Sequence, residues 1–196
     1  MLGDSHCLSS AWSTVNLSGQ TYLLRPSLVT GTKAWHLRDD CTFYTHANYL
    51  AARAAIPSTP PPAALLFCFG EIDCREGLLQ ATEKAKYPTI EAAIDACVTV
   101  YLKQMVAVAK EKGVRLGARL WVQPVMPILD VTRAVVTLFN RRLRAAVEAN
   151  GRVRWLDLEG ELVGSDGKFV KRYSLDGTHI HPQYVQLIER EMNKQW

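Results

Sequence analysis

Ala64-Leu65-Leu66-Phe67-Cys68-Phe69-Gly70 is a short continuous apolar run closed by a glycine. Six apolar residues in a row are too few for a buried helix. They suit a strand covered on both faces, as in a parallel sheet. The flanks agree. Upstream, Pro57-Ser58-Thr59-Pro60-Pro61-Pro62 excludes helix and central strand and reads as a stiff surface connector. Downstream, Thr89 stands as a cap before a long helix in which Ile90, Ile94, Cys97, Val98, Tyr101, Met105 and Val108 recur at helical spacing until Gly113. Glu91 suits the positive end of that helix. Residues 71–87 read as a loop with one helical stretch.

The same alternation continues to the C-terminus. Residues 118–123 read as a strand closed by Pro124 and Pro127. Asp130 is expected to cap a helix running to about Ala149, with Val131, Val135, Leu138, Phe139 and Val147 facing inward and Asn150-Gly151 ending it. Residues 153–158 form the next strand, and Pro182 opens a last helix carrying Val185, Leu187, Ile188 and Met192. Towards the N-terminus, residues 41–56 read as helix. Tyr22 to Thr30 reads as one strand, with Pro26 arguing for an edge or a bend. Residues 6–17 read as a short helix broken at Gly19. Alternating strands and helices imply right-handed crossovers and a mostly parallel sheet with helices on both faces.

Bulk properties set bounds. With 196 residues, 48% of them hydrophobic and 21% charged, the chain suits one α/β domain over 1–196 with a proper core. A net charge of +4, spread along the chain, leaves no nucleic-acid footprint. Arg141, Arg142 and Arg144 read as a solvated helix face. Five cysteines, with no Cys-x-x-Cys pair or His/Cys cluster, read as reduced structural thiols and point to no metal site. With no signal peptide or membrane span evident, the cytoplasm is the default compartment. No phosphate loop is present, which argues against a flavodoxin-like nucleotide binder.

In parallel sheets, ligands bind at the carboxyl ends of the strands. Ser5, Gly31 and Gly70 each follow an expected strand, and Asp176 lies in the loop before the last helix. A serine hydroxyl needs a base to take its proton, and the base needs an orienting acceptor. Asp176 and His179 can supply both from one loop, and a serine at a strand-to-helix turn also sits beside outward-pointing N–H groups. His181 is the alternative base. Cys7 lacks an activating neighbour, and His36 and His46 read as structural or exposed. Trp12, Trp35, Tyr44 and Trp121 suit core packing better than stacking on a sugar.

Taken in order, Gly3-Asp4-Ser5-His6, Gly31, Gly70-Glu71-Ile72-Asp73 and Asp176-Gly177-Thr178-His179 resemble the four-block pattern of the SGNH hydrolases, the GDSL-type esterase/lipase superfamily. The resemblance spans essentially the whole chain. It implies a three-layer α/β/α flavodoxin-like sandwich with a five-stranded, mostly parallel sheet. It also implies acyl-ester hydrolysis or transfer without a cofactor, with Ser5 as nucleophile, His179 as base, Asp176 as its partner, and the backbone N–H groups of Ser5 and Gly31 as oxyanion donors. The substrate class expected is a small acyl ester, preferably acetyl on a carbohydrate.

Two features depart from the pattern. The serine block ends in His6 rather than leucine. In the third block, Ile72 stands where the family carries an oxyanion-binding asparagine. The string Phe69-Gly70-Glu71-Ile72-Asp73-Cys74-Arg75 resembles a subgroup that pairs it with Gly-Asp-Ser-His. There Arg75 is expected to stabilise an oxyanion or grip an anionic substrate, held by Glu71 or Asp73, or else to form a buried pair that fixes the loop. The rival class is a non-catalytic binding or assembly module on the same fold. The first strand has only two residues before Gly3, so a very short strand or a truncated chain is expected. Oligomeric state is left open.

Overall fold

The apolar run behaves as its composition demands. In a computed structural model describing residues 1–196, Leu65–Cys68 is a strand buried along its whole length. Leu65 and Phe67 enter one core and Leu66 the other, the alternation a pleated strand imposes. It is the third of five parallel strands. In chain order the elements are β1 (Leu2–Gly3), β2 (Thr14–Leu17), β3 (Gln20–Leu23), β4 (Ser27–Leu28), β5 (Leu65–Cys68), β6 (Leu120–Val122) and β7 (Arg154–Trp155). The main sheet runs β4-β1-β5-β6-β7, all parallel, and β2 and β3 form a separate antiparallel hairpin.

One face is covered by α1 (Tyr44–Ala54), α3 (Ile90–Glu111) and α4 (Arg133–Asn150). The other is covered by the hairpin and α6 (Val185–Asn193). This is the three-layer flavodoxin-like sandwich, with its order reversal between β1 and β5. The short helices α2 (Leu78–Glu83) and α5 (Glu159–Leu162) lie in connections. Helix α3 is long and apolar enough to cross a bilayer, yet half of its apolar window is buried in the fold. Its expected stripe from Ile94 to Val108 is buried against the sheet, each large side chain contributing about 1.5–3 kcal/mol. The hydroxyl of Tyr101 also accepts the N–H of Phe69 at 3.0 Å, where β5 leaves the sheet.

Strand β1 is two residues long and sits between neighbours on both sides. Leu2 and Gly3 pair with Ser27 and Leu28 on one flank and with Phe67 and Cys68 on the other. Asp4 N–H extends the ladder to Cys68 O at 3.0 Å.

Three expectations are corrected. Residues 6–17 are not one helix: a 3-10 turn spans Ser5–Ser10, and β2 follows. Exposed Thr14 and Asn16 alternate with buried Val15 and Leu17, and Ser18 and Gly19 both adopt positive φ in a two-residue hairpin turn. The single strand expected from Tyr22 to Thr30 is two, β3 in the hairpin and β4 at the sheet edge, with Pro26 between them. Asp130 does not cap α4. It opens a 3-10 turn and pairs with Arg133, and Val131 is 91% exposed rather than inward-facing. Arg141, Arg142 and Arg144 of α4 face outward as expected, Arg142 on Asp95 and Arg144 on Glu148 and Asp157.

Candidate active site

Ser5 leaves the carboxyl end of β1 beside β5, at the point where the strand order reverses and parallel sheets open a crevice. Asp4 shapes its turn: one carboxylate oxygen accepts the N–H of His6 at 2.9 Å, and the 3-10 turn begins at Ser5. The other oxygen is buried without a protein partner. Burial, partly offset by His6, pushes the Asp4 carboxyl up to about 6.

Asp176 and His179 come from one tight loop. Leu175 N–H closes it onto His179 O at 2.9 Å, and Gly177 takes φ 84°, a conformation that favours glycine. Asp176 has two tasks. Its Oδ1 accepts the N–H groups of Thr178 (2.9 Å) and His179 (2.7 Å), and its Oδ2 lies 2.8 Å from His179 Nδ1. These bonds, first the backbone N–H of His179 and then its imidazole, hold the carboxyl far below the usual range. With its proton held on Nδ1, the imidazole presents Nε2 as an acceptor, and Ser5 Oγ lies 3.1 Å from it. Residues 174 positions apart thus meet in one relay. The alternative base is elsewhere: His181 Nδ1 accepts Gln183 N–H and caps a 3-10 turn.

The N–H groups of Ser5 and Gly31 donate to no other group of the protein. Gly31 has φ 73° and lies beside Tyr44, whose hydroxyl is 3.9 Å from where a β-carbon on Gly31 would sit. Tyr44 is 71% exposed and Phe43 48%, and their rings meet at a 41° tilt with centroids 4.7 Å apart. Of the four aromatics assigned to the core, Trp121 is fully buried and Trp35 packs against the core. Tyr44 and Trp12 (62% exposed) are surface residues instead.

The third block divides its labour. Gly70 takes φ 122°, and a β-carbon there would meet Val125 at 2.8 Å and Phe139 at 3.0 Å, so only glycine makes this turn under α4. Residues 71–83 then form one helical run with a π-type turn at Asp73–Gly77. Ile72, half-buried in its first turn, carries no side-chain donor. Glu71 holds Arg75 at 2.9 Å and lies 3.8 Å from His6 Nε2, an ion-pair distance. Burial would raise the Glu71 carboxyl, but His6 and Arg75 outweigh it and hold it below the usual range. Arg75 also pairs with Glu76 and keeps 41% of its side chain exposed.

Asp73 does not hold Arg75. It is buried and accepts the N–H groups of Ala34 (2.6 Å) and Trp35 (3.1 Å), clamping the loop that carries Gly31 onto the end of β5. Burial, only partly offset by these donors, raises its carboxyl.

One neighbour of His179 was not legible as such. His6 is buried, with its ring 5.0 Å from that of His179. Burial opposes its charge, yet Glu71 and Asp4 outweigh burial and raise its pKa. The chain gave no hint, because Glu71 and His179 lie 65 and 173 residues from His6. His36 and His46 have structural bonds, to Thr45 Oγ1 and to His36 O. All five cysteines are buried free thiols, and burial pushes Cys7 up to about 11.

In comparisons with known proteins, no family model and no curated protein matches this chain.

Asp4 gives a prediction with a definite sign. A carboxyl whose folded pKa is raised costs stability once the pH exceeds its unfolded value. The unfolded chain ionises it near 3.8 and the folded protein near 6, so this residue's contribution falls as pH rises between those values. Asp4→Asn keeps the oxygen that accepts His6 N–H and removes the charge. The variant should gain on the order of 3 kcal/mol over wild type between pH 4 and 7, read by urea unfolding at both pH values. An unchanged difference across that window would contradict a buried, ionised Asp4.

Proposed function

We propose that this protein is a serine hydrolase of SGNH type that cleaves a carboxylic ester through an acyl-serine intermediate. The observation that carries the reading is the relay from Ser5 Oγ to His179 Nε2 (3.1 Å) and from His179 Nδ1 to Asp176 (2.8 Å). Ser5 Oγ attacks the ester carbonyl as His179 takes its proton, and Asp176 stabilises the resulting imidazolium. The same proton then goes to the leaving alcohol. Water attacks the acyl-serine by the reverse route. Asp176 remains a carboxylate throughout the neutral range, so it stays available to hold the imidazole.

The unengaged N–H groups of Ser5 and Gly31 serve as oxyanion donors in this reading. The preferred substrate is a small acyl group on a carbohydrate. The exposed Phe43–Tyr44 ledge beside Gly31 supports it, since aromatic faces stack on sugar rings. An acyltransferase would use the same relay with an alcohol in place of water. A non-catalytic module is the second reading, favoured by Ile72 alone.

Release of acetate from acetylated sugars by wild type but not by Ser5→Ala tests the proposal. Ile72→Asn tests the oxyanion assignment in the same assay. One such donor is worth about 100- to 1,000-fold where it is fully engaged. Adding one to the first turn after Gly70 should raise kcat by about tenfold or more. An unchanged kcat would mean that this turn does not face the developing charge.

A further inference from the structure

A cavity of about 440 Å³ opens between the Gly31–Leu37 loop and the α2–α3 connection. Its size is that of a small-molecule site. Lys33, Arg38, Lys84 and Lys86 line it, together with the rings of Trp35 and Tyr87, which meet edge to face with centroids 6.2 Å apart. The charge is one-sided. Asp73 is the only acid in the lining, and its oxygens are engaged by Ala34 N–H, Trp35 N–H and the Cys97 thiol. Lys33, Lys84 and Lys86 make no ion pair with the protein. Arg38 pairs only with the exposed Asp40 and lies over the Trp35 ring at 4.8 Å.

The local backbone gathers these cations. Helix α2 ends in a left-handed residue, Ala85 at φ 51°, with Ala85 N–H bonded to Thr82 O and Lys86 N–H to Ala81 O. Glycine is the usual occupant of such a position, because a β-carbon is strained there. The turn brings Lys84 and Lys86, on either side of it, to one cavity. Gly77 leaves room for the stem of Lys33, whose Cδ lies 3.3 Å from where a β-carbon would sit. The positive field reaches His36, also in the lining. Burial first, then Lys33 and Arg38, push its pKa down to about 4. Like charges held around a cavity repel one another, and an anion entering it relieves that repulsion.

We propose that this cavity binds a phosphorylated ring compound of sugar-phosphate or nucleotide size, with its phosphate among Lys33, Lys84, Lys86 and Arg38 and its ring against Trp35 and Tyr87. Lys33 is two residues from Gly31, so one loop serves both this cavity and the proposed oxyanion site. The ligand is then either the alcohol part of the ester substrate or a separate effector. Only the first of these rests on the hydrolase reading.

The test is calorimetric titration of the full chain with glucose 6-phosphate and with adenosine 5′-monophosphate, using glucose and adenosine as controls. Lys84 and Lys86 are exposed, so Lys84→Met/Lys86→Met should fold as wild type does, which circular dichroism checks. The expected result is saturable binding of at least one phosphorylated probe, none of its unphosphorylated control, and affinity at least about tenfold weaker in the double variant. Ser5→Ala should bind as wild type does, so binding is read independently of catalysis. No binding by folded wild type, or binding that the double variant retains in full, overturns the proposal. Once binding is established, an acetylated glucose 6-phosphate separates the two sources. Its hydrolysis by wild type, with KM raised in the double variant, makes the phosphate part of the substrate. Binding without hydrolysis makes it an effector.

Discussion

Ser5→Ala should lower ester hydrolysis by about 10⁴- to 10⁶-fold, the range seen when the nucleophile of such a relay is removed. The hydroxyl has one hydrogen-bond partner, His179 Nε2, so its loss removes the attacking atom and little else. Stability should therefore stay within about 0.5 kcal/mol of wild type. His179→Ala should cost about as much activity, and the double variant little more than either single one, because the groups act as a unit. Asp176→Asn keeps an oxygen for the Thr178 and His179 N–H groups, so the loop should hold. Its loss of rate would then come from the imidazole proton being misplaced. Rates on short-chain p-nitrophenyl esters would read all four variants. Wild-type activity in Ser5→Ala would move the chemistry away from this serine.

Gly3→Ala should destabilise the fold by about 3 kcal/mol or more, beyond the ordinary cost of overpacking. A β-carbon at residue 3 would lie 2.5 Å from Cys68 O and 2.8 Å from Cys68 Cβ. The first contact is to backbone, which has no rotamer to change. Relief means moving β1 away from β5, yet Cys68 O also accepts Asp4 N–H at 3.0 Å, and β1 has only two residues with which to hold its place. Ser5 would move with it. The urea midpoint of the variant, together with the separation of Ser5 from His179 in its structure, reads both effects. An unshifted midpoint would contradict the close packing of β1 on β5.

Much of this was legible because its signals are local. The apolar run ending at Gly70, the stripe of α3 and the glycine at 151 each mark an element without help from the rest of the chain. Asp176 and His179 were readable as a pair because three residues separate them in one turn. The failures have a common cause. Val15 and Leu17 become a hairpin because α6 and β6 supply the apolar surface they cover, and that surface lies more than a hundred residues away. Thr14-Val15-Asn16-Leu17 did carry a period of two, masked by the weak helical reading of the serines before it. Val131 fits the helical stripe of α4 but precedes the helix, because Asp130 closes a tighter turn on Arg133. Asp73 shows the limit most clearly. Its neighbours in the chain suggested a partnership with Arg75, whereas the fold delivers Ala34 and Trp35 to it and leaves Arg75 to Glu71.

The non-catalytic reading and the hydrolase reading share the fold and differ at one atom. Labelling of the folded wild-type protein with a fluorophosphonate, read by intact mass and peptide mapping, asks whether Ser5 Oγ is an activated nucleophile, whatever the natural ester. The expected result is a single adduct on Ser5 that is absent from Ser5→Ala and His179→Ala. A well-folded wild type that takes up no label, or takes it up elsewhere, would contradict it.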